Sequence, residues 1–212
     1  VGKRKLNPRP RVTEFLILIC IVVALFTDFG EVKNSVLKSL AFVAVPSPES
    51  IKIDLESKGN PDDLNLRLAS LKRGEIWRAV TPIFIHHGTM HLLFNMIWLF
   101  QLGRLIELRY GKLYFLVLVI ASAVISNVIQ CVVPLRWDGV APDFTGPPDM
   151  MLLNAFGGFS GVVYALFGFV WVKSIFDPQS RFSMQQTTVA IMLIWLIFCM
   201  LPGPNDNSLT EH

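Results

Sequence analysis

The stretch Leu113-Tyr-Phe-Leu-Val-Leu-Val-Ile-Ala-Ser-Ala-Val-Ile-Ser-Asn-Val-Ile-Gln-Cys-Val-Val133 contains no charged residue. A bilayer core about 30 Å thick is crossed by roughly 20 apolar residues in a helix, and only a helix or a closed barrel satisfies every backbone group in lipid. This stretch has the length and composition of one such span. Four further apolar segments stand around it, Glu14 to Phe29, His91 to Leu108, Leu152 to Val172 and Thr187 to Leu201. The expected fold is therefore all-α, a polytopic membrane bundle with five transmembrane helices. Composition agrees, because only 17% of the 212 residues are charged where a soluble domain has about 25%. The first run, Phe15 to Phe26, is short enough for a signal-peptide core, but no small-residue cleavage site closely follows it.

Charge orients these spans. The net charge of +3 and pI near 8.8 do not indicate a nucleic-acid partner, because Lys3, Arg4, Lys5, Arg9 and Arg11 lie together ahead of the first apolar block. They read as a cytoplasmic flank. The joints carrying Arg104, Arg109 and Lys112, and then Lys173 and Arg181, fall on the same inner side. The loop from Pro134 to Met151, with Arg136 beside Asp138, Asp143 and Asp149, falls outside. The predicted organisation is a basic cytoplasmic terminus over 1–13, a first helix over 14–29, a long external loop over 30–78, core helices two to five over 79–201, and an external segment over 202–212. Within the long loop, Ser35 to Val43 and Leu64 to Ile76 carry apolar residues at helical spacing, which predicts short amphipathic helices. Cys20, Cys131 and Cys199 are odd in number and dispersed, with neither a disulfide framework nor a metal-ligand spacing. Residue 1 is Val and the chain breaks off soon after an apolar segment, so a fragment is expected.

Polar groups at membrane depth are costly and usually face the bundle interior, so they mark candidate chemistry. His91 and Asn95 are four apart and share a helix face if the helix is running by Thr89. One reading is an interfacial histidine with an Asn that glues helices; the other is a pair of hydrogen-bond donors. Gly103, Glu107 and Gly111 repeat the same spacing, with Glu107 expected to be structural and to pair with a basic neighbour. Gly157-Gly158-Phe159-Ser160-Gly161 opens the fourth span. Glycines around a serine at a helix start leave N–H groups free beside the hydroxyl, as an oxyanion site requires. The alternative is a packing face of small residues, Gly157, Gly161 and Ala165. Spans two and four run in the same direction, so His91, Asn95 and Ser160 converge on one layer of the outer half. A serine is a weak nucleophile without a base, and the one histidine that returns to that layer after the fifth span is His212.

These residues together resemble the rhomboid family of intramembrane serine proteases, bacterial type. The resemblance runs from about Gly74 to Met200. It rests on Trp77-Arg78, His86 with His91-x-x-x-Asn95, Gly103-x-x-x-Glu107-x-x-x-Gly111, Gly158-Phe-Ser160-Gly161-Val-Val-Tyr164-Ala-Leu-Phe-Gly168 and Asp177-Pro178-Gln179-Ser180. It implies a six-helix core, of which this chain would hold five, with a water-filled cavity open to the outer face. It also implies a Ser-His dyad that needs no metal or organic cofactor. Ser160 would be the nucleophile, while Asn95, His91 and the Ser160 N–H would hold the oxyanion. Tyr164 would pack against the catalytic imidazole, with Gly158 and Gly161 in support. Trp77, Arg78 and Glu107 would be structural. His212 falls near the family's base position, but Glu211 precedes it where a small residue is usual, so it is either the general base or an arbitrary last residue.

The implied partners are transmembrane protein substrates and the lipid bilayer, in the inner membrane with the N-terminus cytoplasmic; no oligomeric state is implied. Two other readings stand beside this one. A catalytically inactive relative would bind transmembrane clients without cutting them. A small channel or transporter would use the same polar residues as a lining, but the chain lacks the internal repeat and paired broken helices of transporters.

Overall fold

A computed structural model describes residues 10–30, 35–42, 68–132 and 157–200. The helices are α1 (Arg11–Phe26), α2 (Ser35–Leu40), α3 (Ala69–Lys72), α4 (Thr89–Trp98), α5 (Arg104–Tyr110), α6 (Lys112–Val132), α7 (Ser160–Phe176) and α8 (Gln186–Met200). A π-helical segment, Leu99–Gly103, joins α4 to α5, and short 3-10 turns occupy Ile76–Ala79, Thr81–Phe84 and Pro178–Ser180. No strand occurs among the described residues. The loop from 134 to 151 and the segment 202–212, which holds His212, lie outside them.

The bundle is apolar on its outside and carries polar side chains within. Leu18, Leu25, Val117, Ile129 and Ile194 are exposed, while Thr13, Asn95, Glu107 and Asn127 are buried. Water would penalise that exterior, whereas lipid would not. Among the described residues one stretch, Lys112–Gln130 of α6, is long and apolar enough to cross a membrane by length and composition; Ser160–Phe176 and Gln186–Ile197 are apolar but shorter. The core between the helices is formed by Leu99, Ile106, Phe115, Val119, Ala123, Val162, Leu166 and Met192.

Two joints depart from the sequence reading. A span was expected from Leu152, yet Gly157–Phe159 is not helical and α7 begins at Ser160 itself. Gly158 explains this, because its φ of +112° cannot belong to a right-handed helix. The second span is a continuous α-helix in the sequence reading, but the π segment interrupts it. Gly103, its last residue, lies where three segments cross: a Cβ there would stand 2.9 Å from the Phe115 ring and 3.1 Å from Thr13.

Glu107 also differs from expectation. Instead of a basic neighbour it meets the start of α1, accepting from the N–H of Val12 at 3.0 Å, from the N–H of Thr13 at 2.8 Å and from Thr13 Oγ1 at 2.9 Å. The first N–H groups of a helix have no partner within it and form its positive end, so a buried carboxylate there satisfies both groups at once. On the opposite side of the bundle, Arg78 is buried, paired with Glu75, and donates to the carbonyls of Lys38 at 3.0 Å and Ala41 at 2.6 Å. Thr81 Oγ1 donates to Leu40 O and Asn127 Nδ2 to Ala79 O. These bonds tie α2 and the 3-10 turns to α6. Trp77, next to Arg78, is half exposed.

Candidate active site

The site is assembled where the segment Ile85–Gly88 meets the start of α7. Gly157 packs against Ile85, where a Cβ would stand 2.9 Å from Ile85 Cβ, and the N–H of Gly158 donates to Pro82 O at 3.0 Å. The N–H of Phe159 donates to His86 Nε2 at 3.4 Å, and the Phe159 ring meets Phe84 edge-on. Three successive residues before Ser160 are thus held by one turn of chain. The hydroxyl-bearing residue then opens α7, partly accessible, at a helix start whose first N–H groups have no partner within the helix.

His91 stands against this start. A Cβ on Gly158 would lie 2.6 Å from His91 Cε1 and 2.7 Å from Nε2, so the imidazole occupies the space that glycine leaves. Its ring is tilted against that of His86, with centroids 5.3 Å apart. His86 is fully buried and uses both nitrogens: Nδ1 lies 3.1 Å from Phe84 O, and Nε2 accepts from Phe159. Both bonds are made at once only by the neutral tautomer that carries its proton on Nδ1.

Asn95 follows one turn after His91 on α4, buried, and donates from Nδ2 to His91 O at 3.0 Å. Its amide has a second hydrogen for another acceptor. Tyr164, one turn into α7, sends its hydroxyl to Met192 O at 3.0 Å and so links α7 to α8. Gly161 faces α6, where a Cβ would stand 2.7 Å from Cβ and Oγ of Ser126. The packing reading of the glycine cluster is met at Gly161, which sits at a helix crossing, while Gly158 lies against the His91 imidazole.

The structure brings His91 against Gly158, two residues before Ser160, with Asn95 bonded to the His91 carbonyl one turn along α4. His212 lies outside the described residues. His86 received no role from the sequence, although its place in a His-His pair just before a helix singled it out. Its function in the fold is to hold the Phe159 N–H, and through it the position of Ser160.

A family profile described as the Rhomboid domain matches residues 73–209 of this chain. Curated relatives include the Rhomboid protease GlpG of Salmonella choleraesuis (strain SC-B67), Salmonella newport (strain SL254) and Salmonella heidelberg (strain SL476). Each is 37% identical over 123 residues, which is 58% of this chain and 38% of the relative. The matched stretch is well under half the length of those proteins.

Proposed function

Because this chain belongs to the rhomboid family, we propose that its protein is an intramembrane serine endopeptidase that cuts transmembrane protein substrates. The observation that carries the reading is Ser160 at the first residue of α7, with Gly158 two residues before it giving its side-chain space to His91. Ser160 Oγ attacks the scissile carbonyl carbon as its proton passes to an imidazole base, and the carbonyl oxygen becomes an oxyanion. The Ser160 N–H, His91 and the free hydrogen of Asn95 donate to that oxygen. The imidazolium then returns its proton to the leaving amine, and water hydrolyses the acyl-enzyme by the same steps in reverse. The base comes from the chain beyond α8, where His212 is the histidine this sequence offers.

The protein is placed in the inner membrane with its N-terminus cytoplasmic and its site opening to the outer face. That orientation rests on Arg104, Arg109, Lys112, Lys173 and Arg181 gathering at helix ends remote from Ser160. The test uses the full-length protein in membranes with a helical transmembrane substrate. Cleavage is expected to fall about a thousandfold or more in Ser160→Ala, and a fluorophosphonate probe to label Ser160. Unchanged cleavage in that variant overturns the reading. A folded protein that binds the substrate yet neither cuts nor labels establishes the inactive client-binding relative instead.

A further inference from the structure

At the end of the bundle opposite Ser160, a cavity of about 450 Å³ is lined by Gln101, Arg104, Leu105, Arg109, Arg181 and Phe182. Its size falls within the usual range for small-molecule sites, roughly 300–1,000 Å³. Three arginines from two separate parts of the chain, Arg104 and Arg109 of α5 and Arg181 of the loop before α8, line this one space. Among the described residues no carboxylate lines it. The acids nearest in sequence are engaged elsewhere, Asp177 with Lys173 at 2.7 Å and Glu107 with the start of α1. Among the described residues none of the three arginines forms an ion pair. Arg104 lies over the Phe100 ring at 5.9 Å, and Arg109 donates to Gln179 O at 2.9 Å.

We propose that this cavity binds the phosphate of an anionic phospholipid headgroup. Guanidinium forks match phosphate oxygens in geometry and charge. The lipid source, rather than a free phosphate, follows from the apolar wall beside the arginines. Phe100 and Leu105 are exposed on the same stretch of helix, and the buried Phe182 lines the cavity among the charges. A headgroup seated there would lay its acyl chains along that wall. Basic clusters at the inner ends of membrane helices meet the leaflet that is rich in anionic lipid. The inference does not depend on the protease reading, because nothing at Ser160 takes part.

The test is native mass spectrometry of the full-length protein in neutral detergent, offered a mixture of dioleoylphosphatidylglycerol and dioleoylphosphatidylcholine. One phosphatidylglycerol is expected to be retained in preference. Each arginine near a membrane surface contributes about fivefold in affinity, so the triple variant Arg104→Gln, Arg109→Gln, Arg181→Gln is expected to lose about a hundredfold. The triple lysine variant, which keeps the charge but not the forks, should retain more lipid than the glutamine variant and less than the parent. Should the triple glutamine variant fail to fold, the double variant Arg104→Gln, Arg181→Gln is read instead, with a loss of about 25-fold expected. The side chains of those two residues make no hydrogen bond to the described residues. Lys112→Gln removes a charge at the same end but outside the cavity, and should change retention little. Equal losses for Lys112→Gln and each arginine would reduce the effect to diffuse surface charge and overturn the proposal. Retention unchanged in the triple variant also overturns it, as does displacement of the lipid by millimolar inorganic phosphate.

Discussion

The imidazole of His91 fills the space in which a side chain on Gly158 would stand, 2.6 Å from the position of the missing Cβ. Two requirements meet at this glycine. Its φ of +112° is disfavoured for any residue with a Cβ, and His91 permits no atom there. Gly158→Ala is therefore expected to displace His91 or the turn before Ser160, at a cost of about 1–3 kcal/mol. Fluorophosphonate labelling of Ser160 should fall at least tenfold more than the loss of folded protein accounts for. Labelling in proportion to folded protein would show that His91 has no part in the site's geometry.

The carboxylate of Glu107 accepts three hydrogen bonds from Val12 and Thr13, more than ninety residues away in sequence. Removing it leaves buried donors without an acceptor, which costs about 1–3 kcal/mol for each group fully orphaned. Glu107→Ala is expected to lower stability by about 3 kcal/mol, and Glu107→Gln by about half as much because one amide oxygen remains. Equilibrium unfolding in mixed micelles measures both. Equal stability of the alanine variant and the parent would refute the assignment of Glu107 as the anchor of α1.

Gly161 and Ser126 meet where α7 packs on α6, so a double-mutant cycle can isolate the contact. Gly161→Ala puts a Cβ 2.7 Å from the Ser126 side chain and should cost about 1–3 kcal/mol. Ser126→Gly opens that space, and in its presence the cost of Gly161→Ala should shrink by at least about 1 kcal/mol. Strict additivity of the two changes would place the crossing elsewhere.

How much of this was legible beforehand depends on whether a feature is local. The uncharged run of α6 and the one-turn spacing of His91 and Asn95 are local, and hydropathy and helical period suffice to find them. The anchor of Glu107 is not local. A carboxylate near basic residues suggested an ion pair, because sequence shows side-chain charge and hides the unpaired N–H groups of a distant helix start. The π segment has no signal in hydropathy, and the close packing of its last residue, Gly103, against Phe115 and Thr13 joins residues far apart in sequence. The non-helical start before Ser160 was hidden likewise. Gly158 is compatible with a helix or with a positive φ, and only its neighbours Pro82, His86 and His91 decide between them.

The pair of Arg78 and Glu75 sets an acid limit on the fold. Arg78 donates to Glu75, Arg73 donates to its other oxygen at 3.1 Å, and these bonds hold the Glu75 carboxyl below the ordinary carboxylate range. A carboxyl whose value is lowered by folding contributes stability that is fully present above its unfolded value, near 4.3 for a glutamate. That contribution is lost as the pH falls through the lowered, folded value. From about pH 7 down to about pH 5 this group should therefore leave stability unchanged. Glu75→Gln removes the pair at every pH, so the parent should be the more stable protein at neutrality, and the gap between them should close below about pH 4. Thermal unfolding of both proteins across that range is the measurement. A gap that stays constant to about pH 3, or that widens in acid, would mean that the charge of the Glu75 carboxylate adds nothing to the fold, and no gap at neutrality would mean that Arg78 holds α2 without Glu75.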